Sequence, residues 1–232
     1  MVPKNFNPSY KHPLYFIRKG LYRKISLYAP QLKGKLLDFG CGEKPYQSLF
    51  TNVDEYIGLD YDGEGHDHQN EAVDVYYDGK TIPFENESFD SVFTSEVFEH
   101  VFGLQEILPE INRVMKPGSQ ILLTCPFAWE EHEMPYDFAR YTTPALQFLY
   151  EKNGFQVIDN FKTGNYIEVI FQFSLNYIKN ILPNNKYVRQ VILFPFIVFI
   201  NFFGTIFSFI LPKDKTAYFN NVFVIEKVEN IY

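Results

Sequence analysis

The sequence predicts an α/β fold with a doubly wound, mostly parallel sheet. Short apolar runs alternate with helix-like segments, and the run at residues 36–39 is apolar enough to be buried on both faces. It ends in the turn Gly40-Cys41-Gly42, and a second run, residues 56–59, ends in Asp60. A glycine turn after one strand and a carboxylate after the next are typical of a site for a ribose-bearing cofactor.

The turn differs from the dinucleotide-binding fingerprint. That fingerprint has a third glycine and a helix N-terminus directed at a pyrophosphate, whereas Glu43 follows Gly42 in this sequence. A nicotinamide-dependent oxidoreductase is therefore disfavoured. An amino-acid-bearing nucleoside fits better, because its ammonium group would be attracted to carboxylates such as Asp38.

Six segments in order resemble the class I S-adenosylmethionine methyltransferases, and the resemblance covers roughly residues 35–160. Residues 37–42, LDFGCG, are similar to motif I of that family. Asp60 resembles its ribose-binding acid, and Asp78-Gly79 its adenine-contacting pair. The later matches are IPFENESFDSV at 82–92, SEVFEHV at 95–101 and RVMKPG at 113–118.

The resemblance implies a Rossmann-like sheet of seven strands with an antiparallel last strand, and S-adenosylmethionine as cofactor. It also implies a methyltransferase of the type 11-like subgroup. The residues expected to bind the cofactor are Asp38, Gly40, Cys41, Gly42, Tyr46, Asp60, Tyr61, Asp78, Gly79, Ser95 and Glu96.

Charge is unevenly distributed along the 232 residues. The net charge of −7 argues against a nucleic-acid partner, yet residues 1–35 contain Lys and Arg without Asp or Glu.

The two cysteines suggest neither a metal site nor a disulfide framework, and the N-terminus lacks the apolar core of a signal peptide. We expect a cytoplasmic chain, peripheral at the inner face of the membrane if the apolar segment described below contacts lipid.

The chain is expected to form a single domain, residues 1–232, with a basic helical arm at 1–34 and an apolar helical insertion at 165–212. Apolar residues at helical spacing predict the arm helix over 14–28. The motif I strand is followed by a helix and a second strand. The remaining predicted elements are a strand at 89–94, a helix at 104–115 stopped by Lys116-Pro117-Gly118, a strand at 120–125, a helix at 144–153, and strands at 155–161 and 221–228.

The loop at 126–142 contains most of the candidate catalytic residues. His132 is the first candidate for a base that would deprotonate a hydroxyl acceptor, and Asp137 is the second. Arg140 and Tyr141 would orient the acceptor. Alternatively, Asp137 and Arg140 pair only to hold the loop. The pattern H-x-x-P-x-D-x-x-R-Y-T resembles a methyltransferase subgroup found among enzymes of surface glycan and lipid assembly.

Two groups of residues raise the question of a metal ion. The loop at 60–68 contains His66 and His68 but lacks regular ligand spacing, so a solvated loop is preferred. Four residues resemble the ligand set of metal-dependent small-RNA 2′-O-methyltransferases, three of them at helical spacing. They are Glu96, Glu99, His100 and His132. The same residues occur in metal-free relatives, and the expectation is that no metal is used.

Residues 165–212 are too long and too apolar for a hairpin loop, and 191–211 carry no charge. A single membrane crossing would place the last strand of the sheet on the opposite side of the membrane from the rest of the sheet. We expect two helices split near Pro183-Asn184-Asn185. They would lie in a membrane interface, bind a lipidic substrate, form a homodimer contact or pack on their own domain.

The sequence therefore predicts a methyltransferase that acts on a small-molecule, glycan or lipid-linked acceptor, at oxygen, by in-line displacement. The alternative is a catalytically degenerate domain that binds S-adenosylmethionine and acts as a membrane or assembly partner. The identity of the acceptor does not follow from the sequence.

Overall fold

The computed structural model describes residues 1–63 and 72–228 and contains one seven-stranded sheet in the order β3-β2-β1-β4-β5-β7-β6. Strands β1 to β5 pair in parallel, and β7 is antiparallel to both of its neighbours, as predicted. The strands are β1 Gly34–Phe39, β2 Val53–Tyr61, β3 Val75–Tyr77, β4 Phe89–Ser95, β5 Met115–Pro126, β6 Phe155–Lys162 and β7 Asn220–Lys227. His66 and His68 lie outside the described residues.

The described residues form five α-helices, and both faces of the sheet are packed. The helices are α1 Tyr15–Tyr28, α2 Leu104–Val114, α3 Thr143–Lys152, α4 Tyr166–Ile181 and α5 Lys186–Ile210. One core cluster joins α2 and α3 to the sheet, and a second joins α1 to the opposite face. In β1, Leu37 belongs to the first cluster and Leu36 to the second, which explains why this strand is apolar throughout.

The predicted helix between β1 and β2 is wrong. One turn of 3₁₀ helix, Gln47–Leu49, is the only helical structure in that connection, all of which the structure describes. Lys44 has a left-handed backbone, which interrupts any helix start. The face that such a helix would cover is filled by Phe16 and Leu21 of α1 and by Phe50, all of which are buried in one cluster.

The junction between α2 and β5 is shorter than predicted. Helix α2 ends at Val114, and β5 begins at Met115, so Lys116-Pro117-Gly118 belongs to the strand instead of stopping the helix. Farther along the chain, Thr142 caps α3, because its side-chain oxygen accepts a hydrogen bond from the Ala145 amide.

The apolar insertion consists of two helices that break where the sequence predicts. Asn185 caps α5, and its side-chain oxygen accepts hydrogen bonds from the amides of Tyr187 and Val188 at 3.1 Å each. Asn165 caps α4 in the same way. Within the described part of the chain, α5 is the one helix that is long and apolar enough to cross a membrane by length and composition.

Candidate active site

The glycine turn after β1 folds back onto β2. The amides of Gly40 and Cys41 both donate to the carbonyl oxygen of Leu59, at 2.8 and 3.2 Å. Gly40 has a φ of +72°, and a Cβ atom there would lie 2.4 Å from the Val97 side chain. Gly42 also has a positive φ, but a Cβ atom there would meet nothing within 4 Å. Space is thus left beside Gly42 for a ligand to approach the backbone.

Asp38 is buried beneath this turn. Burial raises the pKa of its carboxyl to about 7, against the opposing effects of a hydrogen bond from the Tyr56 hydroxyl and the charge of Lys44. The Tyr56 oxygen lies 2.6 Å from the carboxylate. A ligand ammonium group would favour the charged form of Asp38, so this carboxylate suits the amino-acid end of S-adenosylmethionine.

The residues predicted to hold the nucleoside end lie at the ends of β2 and β3. Asp60 accepts hydrogen bonds from the amides of Gly42 and Tyr61, at 2.8 Å each. The Tyr61 ring lies against Gly79, where a Cβ atom would come 2.9 Å from the ring. Asp78 closes its own turn, because it accepts hydrogen bonds from two following amides.

A cavity of about 440 Å³ opens between the glycine turn, α1 and the loop after β5. Seven predicted cofactor residues line it, namely Asp38, Gly40, Cys41, Gly42, Tyr46, Ser95 and Glu96. His132 lies on the wall of the same cavity. As far as the described residues define the cavity, Asp60, Tyr61, Asp78 and Gly79 are outside its lining. The structure therefore joins the methionine half of the predicted site to the candidate base.

Glu96 enters the cavity from the end of β4 on a left-handed backbone with a φ of +58°. One carboxylate oxygen accepts a hydrogen bond from the Thr124 hydroxyl at 2.7 Å, and the other from the Asn220 side-chain amide. Burial raises the pKa of Glu96 to about 7, although the Thr124 bond opposes this. Such backbone strain in a non-glycine residue is often found at functional sites.

In the loop after β5, His132, Asp137 and Arg140 form a connected group. The Nδ1 atom of His132 lies 3.2 Å from an Asp137 oxygen, which also accepts from the His132 amide at 2.9 Å. Arg140 donates to both oxygens of Asp137, at 2.5 and 2.6 Å. Burial alone would raise the pKa of Asp137, but these hydrogen bonds and the Arg140 charge lower it to about 2.

This arrangement matches the alternative in which Asp137 and Arg140 hold the loop. The guanidinium also donates to the carbonyl oxygens of Trp129 and Glu130, so its donors are directed to the loop itself. An Arg-paired carboxylate with a pKa near 2 is a poor proton acceptor, so Asp137 is better suited to position His132. Tyr141 packs against the core and is not among the described residues that line the cavity.

Three of the four residues considered as metal ligands converge. Candidate ligand atoms of Glu99, His100 and His132 lie within 4.8 Å of one another. Glu99 is fully buried, its two oxygens accept no hydrogen bond from the described residues, and burial raises its pKa well above the usual range. The predicted helical face is not formed, because only residues 98–100 make a 3₁₀ turn and Glu96 is bonded to Thr124 and Asn220.

Several site residues were not identified from the sequence. Asn220 begins the last strand and reaches Glu96 on β4, a pairing of residues 124 positions apart. Phe6 and Arg18 of the arm also line the cavity, and neither is among the site residues predicted from the sequence. No local pattern signals these roles, because they depend on strand order and on how α1 docks.

Comparison with known proteins agrees with this geometry. A family model described as a methyltransferase domain matches residues 37–123. The mitochondrial ubiquinone biosynthesis O-methyltransferase of Bos taurus is 31% identical over 128 residues, which cover 47% of this chain and 34% of that protein. The phthiotriol/phenolphthiotriol dimycocerosates methyltransferase 1 of Mycobacterium ulcerans is also 31% identical, covering 45% of this chain and 42% of that protein. The chain thus spans less than half the length of these relatives.

A solved structure shows the same fold over most of the chain. Phosphoethanolamine N-methyltransferase 2 of Haemonchus contortus, in complex with S-adenosyl-L-methionine, superposes with a TM-score of 0.56 and 16% identity. The superposition covers 91% of this chain and 52% of the other. The open space beside Gly42 and the buried Asp38 fit that cofactor in this chain. Residues 37–123 therefore match a methyltransferase domain, and the buried Asp38 and the open space beside Gly42 suit S-adenosylmethionine as its cofactor.

Proposed function

We propose that the chain transfers a methyl group to a hydroxyl oxygen of a small-molecule, glycan or lipid-linked acceptor. The observation that carries this proposal is the position of His132 on the wall of the cavity that Gly42 and Glu96 also line. Bound S-adenosylmethionine supplies the reactive methyl group. The protein supplies mainly alignment of the two reactants and exclusion of water.

His132 is the proposed base. The Nδ1 atom of His132 lies 3.2 Å from an Asp137 oxygen and 3.3 Å from an Arg140 nitrogen, which can only donate. This role requires the tautomer in which Nδ1 donates to Asp137, because only then is Nε2 the nitrogen that accepts the acceptor's proton. Asp137 and Arg140 act through His132, as positioning residues, because both are held within the loop.

The relatives support an acceptor of this class. One carries "O-methyltransferase" of ubiquinone biosynthesis in its name, and another is named for dimycocerosates. Together these names favour a lipid-type acceptor with a hydroxyl group. The partly apolar wall that α1 contributes to the cavity through Ile17 and Leu21, with Leu14 just before the helix, is compatible with such a molecule.

A second form of the mechanism uses a divalent cation. Glu99, His100 and His132 would hold it, and it would lower the pKa of an acceptor hydroxyl. The Nδ1 atom of His100 lies 2.8 Å from the Tyr136 carbonyl oxygen, a contact that leaves Nε2 as the ligand nitrogen, as is usual for metal-binding histidines. The buried carboxylate of Glu99, with no hydrogen bond from the described residues, is the observation that favours this form.

The experiment compares wild type with His132→Gln and, as a control in the same loop, Glu131→Gln. Formation of S-adenosylhomocysteine would be measured with phenolic, glycan and polyprenyl-linked acceptors, with and without Mg²⁺ or Mn²⁺. We expect His132→Gln to lower kcat by about 10²–10⁴-fold while S-adenosylhomocysteine still binds. The control should keep its activity.

Each result distinguishes the alternatives. Full turnover by His132→Gln would remove this residue as the base. Turnover that requires the added cation, with cation binding lost in Glu99→Gln, would favour the metal form. A wild type that binds S-adenosylhomocysteine but methylates none of these acceptors would favour the degenerate domain acting as a membrane or assembly partner.

A further inference from the structure

Helices α4 and α5 expose large apolar side chains and bury several polar ones. On α4, large apolar side chains at helical spacing are exposed, at positions 166, 170, 173, 177 and 181. Helix α5 exposes phenylalanines, among them Phe199 and Phe209. The side of each helix that faces the protein carries polar residues, including Gln172 and Asn201. An exposed apolar surface of this extent marks an interaction site.

The buried polar residues attach the two helices to the N-terminal arm. Gln172 donates to the Pro13 carbonyl oxygen at 2.8 Å. Asn201 donates to the carbonyl oxygens of Tyr10 and His12, at 2.7 and 2.9 Å. The middle of α5 is therefore fixed to the body of the protein along its polar side, and its apolar side is left outward.

The charges flanking this surface are mostly positive. Residues 1–35 and 169–213 together contain 12 Lys and Arg residues and no Asp or Glu, whereas the rest of the chain contains all 28 acidic residues. Near the end of α5, the charges of Lys24 and Lys215 repel each other, and Lys213 lies within electrostatic range of Glu168. Other acidic residues in this region are Asp159, Asp214 and Glu130, which accepts a hydrogen bond from Asn180 of α4.

The surface is also connected to the cavity. The ring of Phe173, on the exposed stripe of α4, lies 6.3 Å from the ring of Trp129, which lines the cavity. Helix α1 lines the cavity with Ile17 and Leu21, and its Phe16 packs against Gly204 of α5. Elements that form the cavity wall therefore pack directly against α4 and α5, which carry the apolar surface.

We propose that α4 and α5 lie flat in the surface of an anionic lipid bilayer, with the basic arm beside them, and that the acceptor enters the cavity from that bilayer. A crossing of the bilayer by α5 is incompatible with this fold, because β7 pairs with β5 and β6 only ten residues after α5 ends. A second copy of the chain is disfavoured as the partner, because its apolar surface carries the same positive flanks. The entry of the acceptor rests on the proposed function, whereas the binding of the surface to lipid does not.

The test measures cosedimentation of the full chain with phosphatidylcholine vesicles, with and without an equal amount of phosphatidylglycerol. We expect the chain to bind the anionic vesicles and to bind the neutral vesicles more weakly. High salt should weaken binding to the anionic vesicles. Phe199→Ser with Phe209→Ser should weaken binding by about tenfold or more, because both side chains would lie in the acyl region. The control, Phe148→Ser with Ile158→Ser, removes exposed apolar side chains on α3 and β6 and should bind like wild type.

A charge variant provides an independent test, since the apolar variant could unfold. Lys213→Glu with Lys215→Glu should reduce binding to anionic vesicles only. Folding of every variant is checked by the thermal shift with S-adenosylhomocysteine. Equal binding to neutral and anionic vesicles, or none to either, overturns the proposal. A doubled mass in light scattering that Phe199→Ser with Phe209→Ser abolishes would assign the surface to a second copy.

A failure of the membrane proposal and a failure of the proposed function give different results. A wild type that binds anionic vesicles and S-adenosylhomocysteine but methylates none of the acceptors would remove the proposed function and leave the membrane surface in place. Vesicle binding with no rate increase for a vesicle-embedded acceptor, while a soluble analogue is methylated, would overturn entry from the bilayer.

Discussion

The side-chain amide of Asn220 donates a hydrogen bond to the carboxylate of Glu96, so the first residue of the last strand holds a cavity residue at the end of β4. The Asn220 side-chain oxygen in turn accepts from the Thr163 hydroxyl at 2.9 Å. A buried amide thus joins β4, the end of β6 and β7 at one edge of the cavity.

Replacing Asn220 with Ala should destabilise the fold. The change leaves the Thr163 hydroxyl and the Glu96 carboxylate short of a partner, which should lower the free energy of unfolding by about 2 kcal/mol or more. Urea denaturation measures this. Gln156→Ala removes a hydrogen bond to Glu226 at the exposed edge of the sheet and should change stability little. Equal effects of the two changes would contradict a special role for Asn220.

The affinity for S-adenosylhomocysteine should depend on the protonation of Asp38. This ligand keeps the amino group of the cofactor, which binds the charged carboxylate more tightly than the neutral acid. Since the pKa of Asp38 is about 7, the Kd should fall as pH rises from 6 to 7, by up to about tenfold per pH unit, and then level off.

Asp38→Asn provides the comparison, because Glu96 in the same cavity also has a pKa of about 7 and contributes in both proteins. The difference in pH dependence between wild type and variant therefore reports Asp38 alone. Isothermal titration calorimetry at several pH values measures it. Identical pH profiles would show that Asp38 does not face the ammonium group.

The two glycines of the turn should respond differently to alanine. Gly40→Ala places a Cβ atom 2.4 Å from Val97 on a left-handed backbone, so it should destabilise the protein by about 2–4 kcal/mol. Gly42→Ala carries only the backbone penalty of about 1–2 kcal/mol, but its methyl group occupies the space for the ligand. Thermal unfolding and S-adenosylhomocysteine binding should therefore rank the two variants in opposite orders.

Glu99→Gln should stabilise the metal-free protein increasingly as pH rises. The pKa of Glu99 is raised in the folded state, so the unfolded chain releases this proton at lower pH. The contribution of Glu99 to the free energy of unfolding is complete below the pKa that this group has in the unfolded chain. It falls by about 1 kcal/mol per pH unit as pH rises towards the pKa in the folded state.

Thermal unfolding with a chelator at pH 5 and pH 8 tests this expectation. The Tm gain of Glu99→Gln over wild type should be small at pH 5 and larger at pH 8. Glu106→Gln, on the first turn of α2, should show no such trend. A Tm of wild type at pH 8 that rises with added Mn²⁺, and not in the Glu99 variant, would instead identify a bound cation as the partner of this carboxylate.

Local chemistry was sufficient to predict much of this fold. The break between α4 and α5 follows from Asn185, whose side chain caps the second helix, and the turn after β1 follows from glycines that need a positive φ. These features depend on a few neighbouring residues, and so a single sequence reveals them.

Features that depend on distant packing were not predictable. A helix was expected after β1, but α1 already fills that face of the sheet, and nothing near residues 43–52 signals the competition. For Arg140 the sequence left two roles open, orienting the acceptor or pairing with Asp137 to hold the loop. The structure directs Arg140 at Asp137 and at the Trp129 carbonyl oxygen.

The position of β7 has a consequence for how the chain is completed during synthesis. Strand β6 belongs to the sheet only through β7, which follows it after the whole of α4 and α5. Until residues 220–227 leave the ribosome, β5 ends the sheet with an unpaired edge, while the most apolar part of the chain has already emerged. A nascent chain at this stage exposes both an open strand edge and the two apolar helices. It is therefore the form that most requires a chaperone, or a membrane that the two helices can bind.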